Sequence, residues 1–142
     1  RLMQVTFTVP GDIVPWARAG KNGKVQFTPA KQKSFMGVIR SGAHDAMDGR
    51  APVDGPCSLK VVAVYPWPKS TTKKRMADPA GAWKSTKPDA DNIVKIVKDS
   101  MNSIVFVDDA QVAMSVCWKV FGSRPGLRIS VETLEATAAP VF

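Results

Sequence analysis

The chain is predicted to fold as an α/β domain: a mixed, roughly four-stranded sheet with two main helices packed on it. Three observations lead there. Four apolar runs with strand character alternate with two stretches of helical periodicity, in the order β, α, β, α, β, β. The length of 142 residues fits one domain with a core of its own. Composition is 44% hydrophobic and 23% charged, which excludes a globally disordered chain. We expect the domain to occupy residues 1–135, with 136–142 a flexible tail.

Each element has a local reason. Leu2 to Val9 (LMQVTFTV) is rich in β-branched residues, and Pro10-Gly11 ends it. A loop rich in Gly, Pro and basic residues follows, with a small ribbon expected around Asn22-Gly23. Pro29 opens a helix to about Met47, with Phe35, Val38, Ile39, Ala43 and Ala46 at helical spacing. Cys57 to Trp67 (CSLKVVAVYPW) is a second strand, apolar enough to lie inside the sheet. Ser70 is expected to cap a short helix through Met76. Asp89 is placed to cap a helix from about Ala90 to Asn102, whose inward face is Ile93, Ile96, Val97, Ser100, Met101 and Ile104. Val112 to Phe121 and Leu127 to Leu134 are two more strands. The short Gly/Pro link between them predicts a hairpin.

Charge narrows the partners. Twenty Lys and Arg against twelve Asp and Glu give a net charge of +8, which favours a polyanionic partner, nucleic acid before membrane. No run approaches the apolar length of a membrane span, and no signal-peptide core is visible. Cys57 and Cys117 each sit in a β-like run and read as buried free thiols. With one histidine, His44, and no Cys-x-x-Cys, a zinc site is not supported, so any metal here is a hard cation on carboxylate oxygens. Arg18, Lys24 and Lys31 in the first half and Lys69, Lys73, Lys74, Arg75 and Lys87 around the second loop are the candidate backbone-phosphate contacts. Trp83, alone among them, is a candidate for stacking on nucleic acid.

On this basic chain the acids cluster. Asp89/Asp91 and Asp108/Asp109 flank the second long helix, and Lys95 lies one turn after Asp91. Phosphodiester hydrolysis needs cations that neutralise the phosphate and activate water, and clustered carboxylates recruit them. Each cluster alone has a plainer reading: a helix cap at Asp89, a turn cap at Asp108-Asp109, an i,i+4 ion pair at Lys95. Together they favour a metal site, provided the chain from Val105 to Val107 returns along the helix to bring the second pair to the first.

The run KPDADNIVKIVKDSMN followed by VDDAQV resembles the signature of RusA-type Holliday junction resolvases. Lys87, Pro88, Asp89, Asp91, Asn92, Lys95, Asp99, Asp108, Asp109, Gln111, Val112 and Lys119 all match it. In the N-terminal half, Pro15, Arg18, Gly23, Val25, Phe27, Thr28, Pro29 and Lys31 match the family's loop. Ser100-Met101-Asn102 and Val105-Phe106-Val107 depart mildly from it, away from any proposed ligand. The resemblance implies a RusA-like fold and a small homodimeric endonuclease, cytoplasmic in a bacterial host and often of phage or prophage origin. Such an enzyme uses magnesium, with manganese as a substitute, to cut four-way junctions by paired nicks. It implies Asp89, Asp91, Asp108 and Asp109 as metal-binding acids, and Asp89, Asp91, Lys95 and Asp109 as catalytic. Which of Asp108 and Asp109 ligates directly stays open, with Asp109 favoured. Lys119 joins the expected DNA-binding residues. A branched-DNA binder without catalysis, or a nuclease acting more broadly on flaps or single strands, is the alternative.

Overall fold

The computed structural model describes residues 3–18, 20–22, 25–27 and 29–142. Its main sheet has the order β1-β6-β4-β5, from β1 (Gln4–Pro10), β4 (Cys57–Tyr65), β5 (Val112–Phe121) and β6 (Gly126–Thr133). A two-stranded ribbon, β2 (Gly20–Asn22) and β3 (Val25–Phe27), stands apart from it. Helices α1 (Ala30–Met47), the short α2 (Lys73–Ala77) and α3 (Ala90–Met101) complete the fold. The Lys24 expected to touch phosphate lies outside the described residues.

The predicted hairpin is not there. β5 pairs in parallel with β4, and β6 pairs antiparallel with both β4 and β1, so β4 separates the last two strands. The link is long enough to skip a strand: four extended residues reach about 13 Å, and two strand spacings need about 10 Å. The link steps over the end of β4, where Gly122 N–H donates to the Tyr65 carbonyl at 2.9 Å. β4 takes the middle because its helix-side residues Cys57, Leu59, Val61 and Ala63 are all completely buried and need a neighbour on each side. Gly126 then enters β6 at φ 143°, where a Cβ would strike the Val9 carbonyl.

Register defines two unlike faces. On the helix side run Val5 and Val9 of β1, Leu127, Ile129 and Val131 of β6, and Leu59, Val61 and Ala63 of β4, all in the core. α3 closes that core with Ile93, Ile96, Val97 and Met101, and α1 adds Phe35, Ile39, Ala43 and Met47. At the β5 edge the same face turns polar: Ser115, Cys117, Lys119 and Phe121 lie opposite Leu59, Val61, Ala63 and Tyr65. Neither α1 nor α3 packs on the other face. Its β1–β6 half is polar, joined by bonds such as Gln4–Glu132, and its β5 half carries Met114, Val116, Trp118 and Val120.

Smaller corrections follow from hydrogen bonds. Thr72, not Ser70, caps α2, accepting from Arg75 N–H. Residues 83–88 form a strap across the β5 edge: Trp83 bridges Val120, and Lys84 N–H donates to the Lys119 carbonyl at 3.0 Å. Partners in an antiparallel bridge share a face. Trp83, 57% exposed, therefore sits with Val120 on the helix-free face and not with the acids.

Candidate active site

Asp89 occupies the N-cap position of α3, but its carboxylate makes no capping bond and stays exposed. Asp91, in the first turn, accepts among the described residues only the short-range bond from Asn92 N–H at 3.1 Å. Both carboxylates at the helix entrance are thus left for other work, where the positive end of the helix favours anionic groups. The entrance is braced by the loop before β2. Trp16 N–H donates to the Asn92 carbonyl at 3.1 Å, and the buried Gln32 of α1 accepts from Ala17 N–H at 2.9 Å. Pro15, Lys87, Pro88, Asp89 and Asn92 line a shallow depression there.

A second, larger depression of about 560 Å³ runs along α3, between the helix and the polar edge of the sheet. Ala90, Asp91, Val94, Lys95, Lys98 and Asp99 line it from the helix, Ser115 and Cys117 from β5, and Asp109 from the far end. The Lys95 ammonium lies 4.9 Å from the centre of the Trp16 ring and 3.7 Å from Asp99. The ring and the carboxylate fix it from two sides within the groove.

The chain does not return along the helix as the sequence reading required. Ser103, at φ 67°, starts a tight reversal in which its N–H donates to the Phe106 carbonyl, and Val105 and Phe106 plug into the core. The second acidic pair therefore stays at the helix exit. The spacing from Asp91 to Asp99 is about 12 Å at the helical rise, so Asp91 and Asp109 occupy opposite ends of the groove. Among the described residues, no three His, Cys, Asp or Glu side chains form a ready-made metal-holding group.

The helix exit separates Asp108 from Asp109. Asp108 caps the turn Asp109–Gln111, and Gln111 returns the bond to Asp108 N–H at 2.8 Å while anchoring to the Val53 and Gly55 carbonyls. Asp109 instead faces the groove and accepts from Asn102 Nδ2 at 3.2 Å. Burial alone would raise the Asp109 carboxyl, but hydrogen bonds from Asn102, Asp99 and Asp108 outweigh it and hold the group below the usual carboxylate range. Asp99 moves the other way: burial raises it, the Lys95 charge opposes, and a hydrogen bond with Asp109 adds to the rise. From the sequence, no metal-binding or catalytic role is expected of Asp99. Its i,i+4 spacing from Lys95 is visible in sequence, but its contact with Asp109 depends on the reversal at Ser103.

This donor set fits a hard divalent cation. It offers carboxylate oxygens at both ends of one groove, Asp91 at one and Asp99 with Asp109 at the other. Magnesium asks for one or two carboxylates and fills its remaining positions with water and substrate phosphate. Among the described residues the sulfur that lines the groove is that of Cys117, whose thiol burial pushes up and so keeps protonated.

A family model for the endodeoxyribonuclease RusA matches residues 10–132, most of the chain. The chain belongs to the RusA endodeoxyribonuclease family. It is also 33% identical over 140 residues to YqaN of Bacillus subtilis (strain 168), a protein described as uncharacterized, and the match covers 93% of this chain and 98% of that one. Membership in the RusA family implies an endodeoxyribonuclease and suggests Holliday junction DNA as substrate.

The expected RusA-type DNA contacts fall into two groups. Arg18, Lys31, Lys69, Lys73, Lys74, Arg75 and Lys87 are all exposed. Arg75 lies over the stacked Trp67 and Phe121 rings, 5.9 and 5.7 Å from their centres. Lys119 is different: its ammonium turns inward, donating to the Thr86 and Pro88 carbonyls, each at 2.8 Å. No described helix is long and apolar enough to cross a membrane.

Proposed function

We propose that the protein is a divalent-metal-dependent endonuclease that resolves four-way DNA junctions by paired phosphodiester hydrolysis in opposing strands. The observation that carries this reading is the groove along α3. It has Asp91 at the helix entrance, with Asp89 in the adjoining depression, Asp99 and Asp109 at the exit and a doubly held lysine between them. Lys98 lines it as well, on a chain of net charge +8.

Asp89 and Asp91 at the entrance and Asp109, with Asp99 beside it, at the exit are the residues that would hold magnesium, or manganese in its place. When bound, the cation supplies positive charge beside the scissile phosphate. Lys95 brings its ammonium to the same groove and stabilises charge that builds on the phosphate oxygens. Trp16 restrains the ammonium against solvent. Asp108 acts as a turn cap and supports Asp109 without ligating. The exposed basic residues of the α2 loop and the strap hold the DNA backbone and carry no base information.

We further propose that the protein works as a two-fold homodimer, because paired nicks on a two-fold substrate need two equivalent sites. The half of the helix-free face formed by Met114, Val116, Trp118 and Val120 of β5 is the surface offered for it, because it is the apolar part of that face. Such an enzyme acts where the DNA is, in the cytoplasm of a bacterial host, whether the host or a phage encodes it.

The direct test is Asp91→Asn beside Asp109→Asn. Each is expected to lower junction cleavage by about 100-fold or more, while junction binding without metal stays unchanged. Retained cleavage in either variant would remove that residue from the metal-holding set.

A further inference from the structure

Among the described lysines expected to touch DNA, Lys119 is the one whose ammonium is taken up by main-chain carbonyls. Two of its three N–H donors go to the Thr86 and Pro88 carbonyls at 2.8 Å. Its own carbonyl accepts from Lys84 N–H at 3.0 Å, so side chain and main chain of one residue grip the same strap. Lys84 Nζ closes the arrangement on Thr86 Oγ1 at 2.6 Å. The strap continues directly into α3: Pro88 precedes Asp89, whose carbonyl accepts from Asn92 and Ile93 N–H. Because the Asp89 carboxylate makes no capping bond, its direction is set by where the backbone of residues 86–89 lies. Lys119 can serve as an anchor because its strand is fixed. Ala63, opposite it, is completely buried in the middle of the sheet.

We propose that Lys119 is a positioning residue, which holds the 86–89 strap against β5 so that the Asp89 and Asp91 carboxylates stay placed at the entrance of α3, and that it is not a phosphate contact. The catalytic consequence rests on the nuclease reading above; the ordering of the strap does not. An ammonium that contacts phosphate contributes chiefly to affinity and its salt dependence. One that orders a ligand-bearing loop contributes to metal affinity and turnover, as residues supporting metal ligands do.

The test compares the full chain with Lys119→Met and Lys119→Arg in three measurements. These are hydrogen exchange of residues 84–92, manganese binding by calorimetry, and kcat and KM on a four-way junction. Lys119→Met is expected to speed exchange in that segment alone, to weaken manganese binding by about tenfold or more, and to lower kcat with KM unchanged. Lys119→Arg, which keeps several N–H donors, is expected to recover the exchange pattern and most of kcat. If Lys119→Met fails to fold, Lys119→Gln, with one amide in place of the ammonium, takes its place on the same readouts. Unchanged exchange with a raised KM and a salt slope reduced by about one would overturn the proposal and make Lys119 a phosphate contact. Should the wild-type protein cut no junction, the nuclease reading fails, and the exchange measurement still decides whether Lys119 orders the strap.

Discussion

Asp99 and Asp109 are the residues whose behaviour depends most on the fold, and their opposite shifts give a pH test. Asp109 has a lowered pKa, so its contribution to stability is present above the usual carboxylate value of 3.8 and is lost as pH falls through the lower folded value. Asp99 has a raised pKa, so its contribution is present below 3.8 and is lost as pH rises through the higher folded value. Asp99→Asn is therefore expected to gain in melting temperature relative to wild type as pH rises from acid to neutral. The Lys95 ion pair it removes is partly exposed and worth only a few tenths of a kcal/mol. Melting curves at a series of pH values check this; a difference that stays flat with pH would contradict the assigned shifts. At this scale the sequence was informative about residue type and poor about company. Asp89, Asp91, Lys95 and the Asp108-Asp109 pair stand out as a cluster on a basic chain and gain roles from the family resemblance, but the Asp99–Asp109 contact and the inward turn of Lys119 require knowing which strand lies beside which loop.

Among the elements, α3 carries the argument from sequence to site. Its inward residues Ile93, Ile96, Val97, Ser100 and Met101 are all buried as their helical spacing requires, which leaves Asp91, Lys95 and Asp99 along the groove. The reversal after α3 depends on Phe106, one of the largest fully buried side chains. Phe106→Ala is expected to cost about 3–5 kcal/mol, measured by urea unfolding, and to loosen the Asp109 end of the groove with it. A cost below about 1 kcal/mol would mean the reversal is held by its hydrogen bonds alone. The α2 loop makes a separate prediction. Lys73, Lys74 and Arg75 are exposed, and reversing their charges is expected to weaken DNA binding and reduce its salt slope by about one per lost phosphate contact. An unchanged slope would take this loop off the binding surface. Strand positions were legible because each run is apolar and β-branched. Strand order was not: a four-residue Gly/Pro link serves a hairpin or a step over one strand equally well, and only the demand of β4 for two neighbours decides between them.

For the molecule as a whole, the sheet separates two jobs. Its helix-covered face builds the core and, at the β5 edge, the groove. Its open face is polar beside β1 and apolar beside β5, with Trp83 and Met114 well exposed there. Trp118→Glu on that face is expected to give a monomer by light scattering that still binds manganese; a persisting dimer would move the interface elsewhere. The central claim concerns chemistry on branched DNA, and one assay addresses it most directly. A synthetic four-way junction, a linear duplex and a flap are each incubated with the protein, with and without magnesium. Paired nicks in opposing strands of the junction are expected, only with metal, with little cutting of the other two. Tight junction binding without nicking in magnesium or manganese would contradict the central claim, and equal cutting of all three substrates would contradict junction selectivity.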